Sequence, residues 1–236
     1  MVETARMLRN PLLICGILSS LLYVGTDILA GTLWEGYSFT HQAVSELSGI
    51  GAPTRPLVVP LYITYDVLMI AFGLGVWGYS RKRALRFIGG LLVGIGAVGL
   101  VGVPFPPHLG AAEATFTNTM HSVIAGVQGL LYLLAMGFGA FACGKRFRLY
   151  SIGTLLTLIV VGAVIGFMAG AQITQQGFTA PPQWFGLIER MDVYGSMLWV
   201  LVLAIVLLRA EKGPGLIGGS DAQRARVGEH RYRMQS

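Results

Sequence analysis

The sequence predicts an all-α fold: a polytopic membrane protein, a six-transmembrane-helix bundle with its N and C termini cytoplasmic. Of 236 residues, 54% are hydrophobic and only 12% charged, whereas soluble domains carry roughly 25% charged residues. Six apolar stretches each approach the roughly 20 residues that cross a hydrocarbon core. Of the 17 lysines and arginines, 15 fall on one side of that ladder and only Arg55 and Arg190 on the other. This is the asymmetry the positive-inside rule expects of a cytoplasmic face.

The first span is read over Leu12 to Gly31. Arg6 and Arg9 precede it, as in a signal peptide, but the apolar run is longer than a signal-peptide core and no clean small-x-small site follows, so an uncleaved helix is expected. The second span is read over Leu57 to Tyr79, and the third over Phe87 to Val103, ended by Pro104, Pro106 and Pro107. The fourth covers Met120 to Ala142, the fifth Tyr150 to Ala171 and the sixth Leu187 to Leu208. Basic residues alternate accordingly. Arg81, Lys82, Arg83 and Arg86 join the second span to the third, and Lys145, Arg146 and Arg148 the fourth to the fifth. Residues 1–210 are therefore read as one transmembrane domain in the plasma (inner) membrane. Residues 211–236 are read as a basic cytoplasmic tail, expected to be disordered and within reach of anionic lipid heads.

Between the first two spans, Ser38 to Ser48 reads as a short interfacial helix, with Ser38 or Thr40 able to cap it and Gly49 suited to its end. Two glycine rows, Gly162-Gly166-Gly170 and Gly90-Gly94 with Gly96, Gly99 and Gly102 following, have the small-xxx-small spacing that lets membrane helices approach closely. The net charge of +6 does not point to nucleic acid, because the cations lie in short links and form no basic face interleaved with aromatics. Cys15 and Cys143 match no metal or redox spacing and read as packed thiols. No phosphate-cradling loop, heme-attachment or dinucleotide motif is present, so no cofactor is indicated.

Ionisable residues inside a span cost at least about 2.5–3.5 kcal/mol to insert, and they mark candidate sites for that reason. They gather at the end away from the basic links. Asp27 lies in the first span, Asp66 in the second, His121 and Gln128 in the fourth, and Glu189, Arg190 and Asp192 at the start of the sixth. His41, Ser45 and Glu46 belong to the interfacial segment, with His41 and Ser45 four apart. A guanidinium at the depth of Arg190 needs an anion, with Asp27, Glu46, Asp66 and Glu189 as candidates. In the acid/base reading His121, Asp66 and Glu189 are catalytic. In the binding reading Asp27, His41, Ser45, Glu46, Gln128, Arg190 and Asp192 hold a ligand. No metal motif is visible, and the histidines that could share an ion in space are His41, His108 and His121.

Ser45-Glu46-Leu47-Ser48 followed by Gly51-Ala52-Pro53, the Phe105-Pro106 turn, His121 opening the fourth span and Gly186-Leu187-Ile188-Glu189-Arg190 opening the sixth resemble the uncharacterised membrane family catalogued as domain of unknown function 998. The likeness extends to about Arg209. The family pattern carries an acidic residue soon after the Phe-Pro turn, where this chain has Pro107 and His108. The resemblance implies a six-span bacterial or archaeal membrane protein with these motifs facing outward, and no established activity. The expected function is a polar pocket in the outer half of the bilayer that binds a lipid or other amphipathic ligand. The alternative is a membrane enzyme acting on a lipid. A transporter is disfavoured by the lack of polar residues in the inner half, and a structural protein locked by ion pairs is the remaining reading.

Overall fold

The computed structural model describes residues 2–79, 82–109, 115–176 and 183–212. Six long helices follow one another: α1 Val2–Leu33, α2 Arg55–Trp77, α3 Arg83–Gly102, α4 Phe116–Ala142, α5 Lys145–Gln176 and α6 Phe185–Lys212. A 3-10 helix, Val44–Ser48, sits between α1 and α2, and there is no β-strand among the described residues. All six helices are long and apolar enough to cross a membrane, so the chain is a multi-pass integral membrane protein. Helix α6 extends to Lys212, and the rest of the expected tail lies outside the described residues.

Each helix packs on its sequence neighbour, and α6 closes the ring by packing on α1. Buried positions recur every three or four residues: Val58, Tyr65, Met69, Phe72 and Val76 on α2, and Leu85, Ile88, Leu92 and Ile95 on α3. The opposite faces are equally apolar, with Val67, Leu74, Val160 and Phe167 exposed, as expected where lipid is the solvent. Polar side chains fasten the ring from within. Ser20 Oγ donates to the Met197 carbonyl at 2.9 Å, and Trp199 Nε1 donates to Ser151 Oγ at 3.0 Å. At the basic end, Arg9 on α1 pairs with Glu211 on α6, and the Arg9 guanidinium lies 5.0 Å from the centroid of Tyr79. This ion pair ties α1 to α6 and closes the helix ring at the basic end.

Of the two glycine rows the sequence shows, the one on α3 brings helices together, through Gly90, Gly96 and Gly99, and the described glycines of the α5 row do not. On α3, Gly89 rests on the α2 backbone, where an added Cβ would stand 2.7 Å from the Gly73 carbonyl oxygen and 2.8 Å from Trp77 Cα. Gly96 rests on the same helix, with Ile70 Cγ1 2.8 Å from its virtual Cβ. By contrast, a Cβ at Gly162 or Gly166 would meet nothing within 4 Å. Gly162 and Gly166 thus pack against no other helix among the described residues, and the surroundings of Gly170 lie outside them.

Cys143 follows α4 at the basic end and is half-buried and unpaired. Burial pushes its thiol up, with Lys82 pulling the other way. Alkylation of Cys143 at pH 7 is expected to run slower than that of a free thiol, because the thiolate is the nucleophile. Timed iodoacetamide labelling followed by peptide mass spectrometry measures this.

Candidate functional site

The structure divides the predicted polar cluster into two groups. The first is a clamp around Arg190, which α6 projects toward α1 and the segment joining α1 to α2. Arg190 Nε and Nη2 donate to Asp27 Oδ2 and Oδ1, each at 2.9 Å, in a bidentate pair. Nη1 donates to the carbonyls of Phe39, Gln42 and Gly186 at 2.8–3.0 Å, and Nη2 also donates to the Tyr37 hydroxyl at 2.6 Å. The Tyr194 hydroxyl donates to Asp27 Oδ2 at 2.5 Å. The guanidinium has five N–H donors, and these acceptors engage them all. Asp27 is 0% and Arg190 6% exposed. Burial pushes the Tyr37 phenol above its ordinary range against the pull of Arg190. It stays neutral and donates onward to the Ala43 carbonyl at 2.8 Å.

Two further acidic residues hold the same segment. Glu46 Oε1 accepts from the Ala43 N–H at 3.1 Å, and its Oε2 accepts from Gln42 Nε2 at 3.1 Å. Glu189 Oε2 accepts from the Val44 N–H at 2.6 Å and so ties the first residue of the 3-10 helix to α6. One oxygen of this predicted acid/base residue is thus engaged by the backbone. Glu189→Ala would leave that N–H unpaired, at a cost of about 1–3 kcal/mol. Faster hydrogen exchange at Val44 and a lowered Tm are the expected readouts.

The expected Ser38 to Ser48 helix is shorter than the sequence suggests, because its first half is a turn gathered around Arg190. The Ser38 hydroxyl, a predicted cap, accepts from the His41 N–H at 3.3 Å and pairs with His41 Nδ1 at 2.9 Å. This leaves His41 on the surface, apart from Ser45.

The second group lines a cavity of about 150 Å³ between α1, α2, α3, α4 and the 3-10 helix. Asp66, His121, Gln128 and Ser45 from the predicted set face it. Helix α2 begins at Arg55, two residues earlier than the hydropathy suggests, so Asp66 lies midway along its 23 residues, deeper than expected. Asp66 is 4% exposed, and it makes no hydrogen bond or ion pair among the described residues. Its carboxylate lies against Gly99, where a Cβ would stand 2.6 Å or less from its oxygens. Gln128 Nε2 donates to the Ile95 carbonyl at 3.1 Å, and His121 hydrogen-bonds to the Phe105 backbone. Below Asp66, buried Met69, Phe72 and Val76 fill the bundle toward the basic end.

Four more residues line this wall: Arg55, which the sequence reading gave no role, and Tyr23, Tyr62 and Tyr65, whose hydroxyls it left open between the polar cluster and packing between helices. Arg55 stands at the first turn of α2 and donates to the Ser48 carbonyl, with no ion pair among the described residues. Its signal was available, since it is one of two cations away from the basic links. Tyr23, Tyr62 and Tyr65 form an aromatic side. The Tyr23 and Tyr62 rings stack with centroids 4.9 Å apart, and Tyr65 meets Tyr23 edge-on at 4.9 Å. The Tyr65 hydroxyl bonds that of Tyr132 at 2.6 Å. No one-dimensional pattern separates such tyrosines from packing aromatics.

Asp192 belongs to neither group. His108 is exposed on the loop that pairs with Ile50, and its N–H donates to Asn118 Oδ1 at 2.6 Å. His41, His108 and His121 are therefore in three separate places. Among the described residues no three His, Cys, Asp or Glu side chains are placed to hold a metal ion.

Neither the curated proteins nor the solved structures contain a match to this chain. Residues 17–206, most of the helix ring with both the clamp and the cavity, match the family described as Protein of unknown function (DUF998), and the chain belongs to that family.

Proposed function

We propose that the protein binds the polar part of a lipid or other amphipathic molecule in the cavity between α1, α2, α3 and α4. The cavity mouth would face outward from the inner membrane, as the positive-inside rule orients the basic links. One observation carries this reading: a buried carboxyl, Asp66, and a cation, Arg55, line one cavity, and neither has an ion-pair partner among the described residues. Isolated buried charge is unfavourable unless something pairs with it. Small-molecule pockets usually span about 300–1,000 Å³, so a cavity of about 150 Å³ suits a headgroup, with the acyl part remaining in the bilayer. Arg190, whose donors are all engaged, acts here as the clamp that holds the cavity's outer segment.

The test is retention of lipid by protein purified in mild detergent, read by native mass spectrometry. Ile124→Trp adds bulk to the cavity wall from α4 and should release bound lipid while the helix content stays unchanged. Equal retention in this variant and the wild type would remove the proposal.

A membrane hydrolase is the second reading, favoured because Ser45, Asp66 and His121 line one space and could divide acid and base roles. Turnover of a lipid extract that His121→Ala abolishes would select it over binding alone.

A further inference from the structure

We infer that the group taken into this cavity is an organic ammonium, held by Asp66 beside the rings of Tyr23, Tyr62 and Tyr65, with the anionic part of the same ligand toward Arg55. The inference rests on the proposed binding site and names its ligand chemistry.

A carboxylate lining a cavity with three tyrosines is the composition that selects an ammonium: the charge pairs with the anion, and the alkyl groups and N–H bonds lie on electron-rich rings. A divalent metal fits poorly, since it takes several oxygen ligands and among the described residues no three His, Cys, Asp or Glu side chains are grouped to hold one. At the other end of the cavity Arg55 has only the Ser48 carbonyl, which leaves guanidinium donors for a phosphate or carboxylate. Eleven residues of α2 separate Arg55 from Asp66, about 16 Å along the axis at 1.5 Å per residue. The two side chains close part of that gap, and a phosphate and an ammonium joined by two carbons can bridge what remains. The same chemistry occurs in a zwitterionic phospholipid headgroup and in free phosphoethanolamine. Gly99 sets the geometry, because only a residue without a Cβ leaves the Asp66 carboxyl where it is.

The test uses full-length protein in nanodiscs containing equal parts phosphatidylethanolamine, phosphatidylcholine and phosphatidylglycerol. Lipids retained after detergent extraction are identified by native mass spectrometry. Wild type should retain the two ammonium lipids over phosphatidylglycerol by about tenfold or more, the scale of one charge-assisted contact. Asp66→Asn should erase the preference. Gly99→Ala, which only has to displace a side-chain end, should weaken it with Tm kept. In a second arm, phosphoethanolamine is titrated into delipidated protein and Tm is followed. A rise in wild type that Asp66→Asn lacks, without lipid preference in the first arm, would assign the free solute as the source. Retained lipid with no ammonium preference, together with no Tm response, overturns this inference and leaves the proposed binding function standing. No retained lipid but a response to phosphoethanolamine overturns the lipid reading alone. A preference that persists in Asp66→Asn overturns the role of Asp66 and the inference with it.

Discussion

Arg190→Ala should destabilise the protein by about 3–5 kcal/mol, the scale seen when one partner of a buried ion pair is removed. The loss has two physical sources. Asp27, fully buried in the ring, would keep only the Tyr194 hydroxyl. The carbonyls of Phe39, Gln42 and Gly186 would lose the donor that gathers them, and the outer segment would lose its anchor. Arg190→Lys should recover only part, because an ammonium cannot span both carboxylate oxygens and three carbonyls at once. Asp27→Asn should also destabilise, and the double variant Asp27→Leu/Arg190→Met should be milder than the two single losses added together, since it leaves no unpaired charge. Unfolding midpoints in detergent for the four variants measure this. Strict additivity would mean that the pair is not coupled.

The second large effect is expected at the α2–α3 crossing. Gly89→Ala puts a methyl group into the backbone of α2 near Gly73 and Trp77. The obstacle is main chain, which cannot swing aside, so the helices must separate at a cost of about 1–3 kcal/mol. Gly162→Ala and Gly166→Ala meet open space, and the gain in helix propensity, about 0.8–1 kcal/mol in water, should leave them neutral or slightly stabilising. Thermal unfolding of the three variants separates the outcomes, and a large loss at Gly162 or Gly166 would show that α5 packs on another chain. Spacing did not separate the α3 row, which packs, from the α5 row, for a physical reason. Spacing is visible in a sequence, but the rotation of a helix about its axis is not, and both faces of α3 and α5 are apolar.

The same limit governed the site. Composition singled out the polar residues of the arginine-poor end as a set, because each one inside a span is expensive and stands out singly. It could not divide them. Asp27 and Asp66 look alike in sequence, each a lone acid in an apolar run. One is saturated by Arg190 and Tyr194, and the other faces a cavity without a partner. Arg190, for which the sequence left both a ligand and a structural anion open, is taken up by Asp27 and the protein's own carbonyls, while Arg55, given no role from the sequence, lines the cavity.

Hydropathy and charge alone determined six spans and their approximate limits, because crossing a bilayer depends on the local transfer free energy of one segment at a time, and short motifs carried the family resemblance. Orientation follows from the same charges and remains an expectation that loop labelling can check. Only the tertiary structure decided which polar groups neutralise one another and which are left facing open space. That depends on helix rotation, depth and the path of the segment between α1 and α2. Where lipid surrounds the bundle no hydrophobic stripe marks the inward face, so these are set by side-chain contacts between residues as far apart in the chain as Asp27 and Arg190.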